Sequence, residues 1–386
     1  MKYKLKDLGE IFTGNTPSKS NAEFYKSKDI GFVKPDILID GIINENLNVN
    51  EYISDRARKK ARIVQAGAIF VTCIGSIGKI GIADKELAFN QQINAIMPNE
   101  KVYPKYLAYC MLQNKKKLQA IANAPIVPII NKSQFGEIDI EIEENKEKQS
   151  QIIEILEEVS SAIEKRRKQL QQMDKLVESR FIEMFGDPII NPMGWPVSEL
   201  STYIQFLTSG SRGWSKYFAN TGEYFITIKN VKNCRITLED VQHVVPPDNA
   251  EAKRTRVQEG DLLISITADL GRTGVVSKEI ADYGGYINQH LTCIRLNQSA
   301  VRPLYVAYYM ESDAGKKQFQ AKNQSAVKAG LNFNSINSLR IMVPPVELQD
   351  AFICFVAQTD KSKVAIQKAL DETQLLFNSL MQKYFG

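Results

Sequence analysis

At 386 residues the chain is too long for a single core, and two to three folded units are expected. Apolar residues at 44% and charged residues at 24% describe an ordinary soluble protein. Five scattered cysteines with no Cys-x-x-Cys pair argue for reduced thiols and against disulfides or zinc, and no apolar run approaches the ~20 residues of a membrane span.

The start, Met1-Lys-Tyr-Lys-Leu-Lys-Asp-Leu8, has no apolar core for a signal peptide, so a cytoplasmic location is expected. The net charge of +5 is unevenly spread. Residues 1–143 carry +4 and residues 186–345 carry +3, while 144–185 and 346–386 carry −1 each. A positive excess confined to two segments marks them as places where a polyanion would be held.

Residues 1–143 read as a β-rich module with a few helices. The buried strand Ile69-Phe-Val-Thr-Cys-Ile74 ends in a glycine-rich turn, Gly78-Lys79-Ile80-Gly81. Asn90-Gln91-Gln92 follows, and residues 103–122 are predicted as one helix. From 144 to 185 there is no Gly and no Pro. Ile152, Leu156, Val159, Ile163, Leu170, Met173, Val177 and Met184 recur at the alternating four–three spacing of a heptad seam, interrupted by Arg166 and Arg180. The turn Gly186-Asp187-Pro188 ends it.

Residues 187–345 repeat the first module. Gly260-Asp-Leu-Leu-Ile-Ser265 matches Gly67-Ala-Ile-Phe-Val-Thr72, and Gly271-Arg272-Thr273-Gly274 matches the Gly78 turn. Asn288-Gln289-His290 matches Asn90-Gln91-Gln92, and Tyr305-Val-Ala-Tyr-Tyr-Met310 matches Tyr106-Leu-Ala-Tyr-Cys-Met111, within a second helix predicted over 304–321. After Pro344-Pro345 comes a second seam, with Phe352, Val356, Ile366, Leu370, Phe377, Leu380 and Tyr384, weakened at Thr359, Lys363 and Thr373. The domains expected are therefore 1–143, a helix at 144–186, 187–345, and a helix at 346–386. The two helices are expected to pack antiparallel, giving an α+β fold of two related β-rich modules joined by an antiparallel coiled coil with pseudo-two-fold symmetry. Duplex DNA read from its two strands has that symmetry.

Catalytic motifs fail on inspection. Ile74-Gly-Ser-Ile-Gly78-Lys79 lacks the spacing and the hydroxyl of a phosphate loop. Val245-Pro-Pro-Asp248 and Val343-Pro-Pro-Val346 lack the polar and aromatic residues of an adenine methyltransferase loop, and no glycine-rich donor site accompanies them. Asp248 and Glu251 are too close in sequence to lie on neighbouring strands of a nuclease site, and His243 and His290 have no metal-ligand spacing. What is repeated is polar: one cation on a tight turn in each module (Lys79, Arg272), suited to a phosphate or a guanine edge, and Asn/Gln side chains of the kind that pair with adenine.

In this order of modules and helices the chain resembles the specificity subunit of type I restriction–modification systems. Gly14-Asn-Thr-Pro-Ser18, the Gly-x-x-Gly turns, Ile287-Asn-Gln-His290, Leu375-Leu-Phe-Asn-Ser-Leu380, and Phe185-Gly-Asp-Pro188 echoed by Tyr384-Phe-Gly386 carry the likeness. Ser209-Gly-Ser-Arg212 in the second module departs from Thr16-Pro-Ser18 in the first. The resemblance implies two target-recognition domains, each reading half of an asymmetric bipartite site in double-stranded DNA. The helix pair would set the spacer and dock two methyltransferase subunits, with restriction subunits completing the complex. It implies no catalytic residue, metal or cofactor on this chain, since S-adenosylmethionine, ATP and magnesium would be used by the partners. The candidate DNA contacts are Lys19, Lys34, Lys79, Gln91, Gln92, Arg212, Lys229, Arg272, Gln289 and His290. The candidate helix interface is Ile152, Leu156, Val159, Ile163, Leu170, Val356, Ile366, Leu370 and Phe377.

Overall fold

The computed structural model describes residues 1–122, 128–323 and 330–386. The chain divides into two units: unit 1 comprises Met1–Lys168 with Gln367–Gly386, and unit 2 comprises Gln169–Ile366. Both are built to one plan.

In unit 1 a five-stranded sheet runs in the order Gly9–Thr13, Ile93–Pro98, Ile69–Thr72, Ile80–Ile82, Ile43–Asn44, antiparallel except for its last pair. A second sheet runs Tyr52–Ile53, Ile30–Val33, Leu87–Phe89, Ile63–Val64. In unit 2 the counterparts run Ile204–Ser209, Leu291–Leu296, Leu262–Ser265, Thr273–Val275 and Phe218–Ala219, Gln242–Val244, Glu223–Ile226, Gly285–Ile287. The central strands Ile69–Thr72 and Leu262–Ser265 are buried on both faces, which is why they read as continuous apolar runs.

Each helix predicted beside these sheets is in fact two. Pro104–Gln113 and Lys115–Ile121 break at Asn114, whose side-chain amide donates to the Cys110 carbonyl at 2.8 Å. Pro303–Glu311 and Asp313–Lys322 break at Ser312, which is extended (ψ 167°) and whose hydroxyl donates to the Tyr309 carbonyl at 2.6 Å. In both copies a short polar side chain competes for a helix carbonyl, an effect that apolar periodicity does not register.

The two long helices, Lys146–Phe185 and Val346–Phe385, have 40 residues each and are about 60 Å long at 1.5 Å per residue. Gly186 ends the first in the left-handed region (φ +78°). Within unit 1 the start of the central helix packs antiparallel on the end of the terminal one. Leu156 and Met381 are buried together with Tyr109, against Ile152, Phe377 and Phe385. Within unit 2 the remaining halves meet in the same sense: Phe181 and Phe185 form edge-to-face pairs with Phe352 at 5.4 and 5.6 Å.

The polar residues that interrupt the seams find partners on the facing helix. Arg166 donates to the Thr373 hydroxyl at 2.6 Å, Lys363 pairs with Asp174, and Arg180 lies over the Phe355 ring at 5.6 Å. Of the interface residues named from sequence, Leu156, Ile163, Val356 and Leu370 are buried, while Ile152, Val159, Leu170, Ile366 and Phe377 are half-buried.

A buried glutamine fixes each long helix to its own module. Gln149 is fully buried and accepts from the Tyr103 amide at 3.0 Å while donating to the Lys101 and Glu143 carbonyls at 3.0 and 2.6 Å. Gln349, also fully buried, accepts from the Arg302 amide at 2.8 Å and donates to the Ala300 and Pro344 carbonyls at 3.3 and 2.8 Å. Gln149→Leu strands three backbone groups, each costing roughly 1–3 kcal/mol if left unpaired. The urea midpoint of the variant is therefore expected to fall clearly; a change worth under ~0.5 kcal/mol would remove the anchor from the account.

The cysteines are all free, with Cys73, Cys110, Cys234 and Cys293 buried and Cys354 exposed. Burial pushes the Cys73 thiol up to about 12, and the other three buried thiols are raised for the same reason. A thiol reagent at pH 8 should titrate one cysteine per native chain and all five after denaturation.

Candidate nucleic-acid interface

In each unit a loop from the first strand of the large sheet meets the Asn-Gln turn before the second. Gly14 donates to the Ile93 carbonyl at 3.1 Å and Gly210 to the Leu291 carbonyl at 3.1 Å. A Cβ at either position would overlap a carbonyl, that of Asn90 or Asn288, so only glycine permits this approach. Asn90 and Asn288 close the turn on themselves, accepting from the amides of Gln92 and His290 at 3.2 and 3.1 Å. Their neighbours face outward to different degrees. Gln91 is exposed and accepts from the Thr16 hydroxyl at 2.7 Å, and Gln92 accepts from the Asn90 amide at 2.9 Å. In unit 2 His290 meets the Thr267 hydroxyl at 2.6 Å and the Gln289 amide nitrogen at 3.1 Å.

The Gly-x-x-Gly turn lies beside this loop, joined to it by Cys73 N–H to the Gln92 carbonyl (2.8 Å) and by Ile266 N–H to the His290 carbonyl (2.9 Å). A hydroxyl at the end of the buried strand holds the turn. Thr72 bonds the Ser76 carbonyl and accepts from the Lys79 amide at 3.0 Å; Ser265 bonds the Asp269 carbonyl and accepts from the Arg272 amide at 2.9 Å. Gly78 and Gly271 both need the left-handed region, at φ +84° and +81°. The two turns therefore present their cations from the same backbone, but the cations are engaged differently. Lys79 donates to the Pro35 carbonyl at 3.2 Å, whereas Arg272 pairs with Asp269.

The structure thus brings Lys79, Gln91 and Gln92 together in unit 1, and Arg272, Gln289 and His290 together in unit 2. Lys34 directly follows the strand Ile30–Val33 and is paired with Glu51. Lys19, Arg212 and Lys229 are exposed, and among the described residues they make no ion pair. No three His, Cys, Asp or Glu side chains converge as metal ligands among the described residues. Asp248, rejected as a nuclease carboxylate, is highly exposed and pairs at the surface with Lys253 at 2.9 Å.

Sequence reasoning passed over two clamps. Asn15 donates to the Lys60 carbonyl at 2.6 Å and accepts from the Arg62 amide at 2.5 Å, tying the 14–18 loop to a basic segment. In unit 2 Arg254 performs this tie in reverse, reaching back to Thr208, the Ser209 carbonyl (2.9 Å) and Ser211 (3.2 Å). The run Arg56-Ala-Arg58-Lys59-Lys60-Ala-Arg62 was the available signal, with five cations in seven residues.

A family model described as "Type I restriction modification DNA specificity domain" matches residues 1–172 and 195–374. The HindI specificity subunit of Haemophilus influenzae is 33% identical over 172 residues, covering 42% of this chain and 37% of that protein. The MjaIX specificity subunit of Methanocaldococcus jannaschii is 27% identical over 249 residues, covering 59% and 57%. The matched stretches span less than two thirds of either curated relative. The crystal structure of a type I S subunit from M. genitalium matches with a TM-score of 0.57 at 14% identity, over 100% of this chain and 96% of that one, a likeness of fold.

If both turn cations lie on DNA, as the sequence leads one to expect, removing them should have unequal effects on duplex binding. Lys79→Ala is expected to flatten the dependence of log affinity on log salt by about one unit, and Arg272→Ala by less, because Asp269 already neutralises it. Equal effects in salt titrations would show that the Asp269 pair does not persist on DNA.

Proposed function

The chain belongs to the family of type I restriction–modification DNA specificity proteins, and from that membership we propose that it is the non-catalytic subunit that chooses the DNA site for its complex. Each unit reads one half of an asymmetric bipartite site in double-stranded DNA. The long helices set the unread spacer and hold two methyltransferase subunits, to which restriction subunits add. S-adenosylmethionine, ATP and magnesium are bound by those partners, and the complex works in the cytoplasm. No described helix is long and apolar enough to cross a membrane.

The observation that carries this reading is the double match of the family model. It falls once on each module, and both matched stretches run on into a long helix. The positive charge confined to the two modules and the polar, glycine-held loops described above support DNA as the ligand. The candidate contacts remain Lys19, Lys34, Lys79, Gln91, Gln92, Arg212, Lys229, Arg272, Gln289 and His290. The division of labour is tested by exchanging residues 1–143 for another recognition module and sequencing the methylated sites made with the methyltransferase subunit. One half of the site should change while the other stays, and the chain without that subunit should transfer no methyl group. Change in both halves, or in neither, would overturn the assignment.

A further inference from the structure

The basic segment of unit 1 and its counterpart in unit 2 occupy the same place in the fold. Each leads into a short strand or bridge against the second sheet, Ile63 opposite Ala88 and Arg256 opposite Tyr286. Each is also tied to the loop at Gly14 or Gly210 by the clamps described above. Their electrostatics differ sharply. Residues 55–62 carry a net charge of +4, residues 248–256 only +1.

The pairing of individual side chains sharpens the difference. In unit 1, Arg56 pairs with Glu23, and Arg58 with Asp55 and Glu86. These two arginines are occupied in holding the segment down. Lys59, Lys60 and Arg62 are exposed and, among the described residues, form no ion pair. The Asn15 side chain fixes the backbone on either side of Ala61, so two of the three cations leave a positioned backbone. Asn15 is itself placed by its amide, which donates to the Phe89 carbonyl at 3.0 Å. Thr16, next along, bonds Gln91, so the cations border the same surface as the Asn-Gln turn. In unit 2 every cation of the segment has a use already. Lys253 pairs with Asp248, Arg254 is the clamp, and Arg256 pairs with Glu223 at 3.1 Å.

We infer that Lys59, Lys60 and Arg62 form a phosphate-backbone anchor for duplex DNA in unit 1, positioned by Asn15, and that the equivalent segment of unit 2 supplies no such anchor. The inference rests on the DNA-binding reading of the two modules. Three unneutralised cations within four residues, two of them on a positioned backbone, suit a polyanion with regularly spaced charge, and a cluster of point charges neutralises phosphates whatever the sequence. The anchor therefore contributes affinity without sequence preference, and it makes the two half-sites unequal in their sensitivity to salt.

The test is an anisotropy titration of the full chain on a labelled mixed-sequence duplex at several KCl concentrations between about 50 and 200 mM. Each phosphate contact contributes about 0.9 to the slope of log affinity against log salt. Lys59→Ala/Lys60→Ala/Arg62→Ala should flatten the slope by about two to three units, whereas Lys253→Ala should leave it within about 0.3 of wild type, well short of the roughly 0.9 of one contact. Asn15→Ala keeps all three charges and should fall between wild type and the triple variant. The charge-preserving Lys59→Arg/Lys60→Arg/Arg62→Lys should bind as wild type does. Because the three side chains are exposed, the triple variant should melt as wild type does, which separates lost binding from lost fold. A triple-variant slope within about half a unit of wild type would overturn the anchor while leaving the DNA reading intact. Absence of salt-dependent duplex binding by the wild-type chain would overturn both.

Discussion

Everything outside the two sheets depends on how each long helix leaves its module, and one buried side chain decides that. Gln149 and Gln349 sit in the first turn of their helices and use the amide in full: one bond accepted, two donated, all to backbone. An apolar residue there would fill space but would tolerate a range of exit angles. Three directional bonds to two separate stretches of chain do not, and in a water-excluded setting leaving any of them unmade is costly. The aromatic contacts Phe181–Tyr305 and Tyr106–Phe385, at 5.7 and 5.1 Å, then fasten the helices to the module helix whose start the glutamine has fixed.

Register along the helices has a second source. A heptad seam of aliphatic residues is satisfied by more than one sliding position, because neighbouring heptads look alike. Here the seams are imperfect in matching places. Arg166 finds Thr373 and Lys363 finds Asp174, so a slip of one heptad would set Arg166 against Ile366 or Leu380 and part Lys363 from its carboxylate. Residues that weaken each seam when it is read alone thus specify its alignment when the two are read together, at some cost in apolar burial.

The duplication, the buried strands and the long helices were legible because each rests on a local pattern (glycine spacing, apolar runs, a four–three repeat), and the antiparallel sense of the helices followed from the order of modules and helices along the chain. Setting Ser209–Arg212 against Thr16–Ser18 missed that Gly210 is the counterpart of Gly14, because the close approach to a carbonyl that they share is visible only in the fold. The helix breaks at Asn114 and Ser312 were not legible, because apolar periodicity continues across them. Gln149 was hidden among polar residues at a helix start, where a solvated side chain is the ordinary expectation. The clamps were hidden for a different reason: Asn15 and Lys60 lie 45 residues apart, and nothing local to either announces the partner.

The two units also show how one scaffold accommodates unlike chemistry. The framework bonds around the loops are made largely by backbone or by small hydroxyl and amide groups that serve it, so the side chains pointing elsewhere can change without moving it. Ala268 takes the left-handed conformation (φ +56°) where unit 1 has Gly75, and the turn survives. Within the large sheet, Asp261, Cys293 and Arg295 of unit 2 stand where unit 1 has Ala68, Ala95 and Met97 by strand register. Arg295 grips the fully buried Asp261 with two bonds of 2.8 Å, so an ion pair replaces an apolar contact without altering the strand order. Breaking that pair from one side would leave a buried charge, whereas exchanging the whole set need cost little. Divergence in such a fold therefore proceeds by sets of residues. The basic segments differ in the same way, since the clamp is the uncharged Asn15 in one unit and the cation Arg254 in the other, where Lys253 and Arg256 are paired with Asp248 and Glu223.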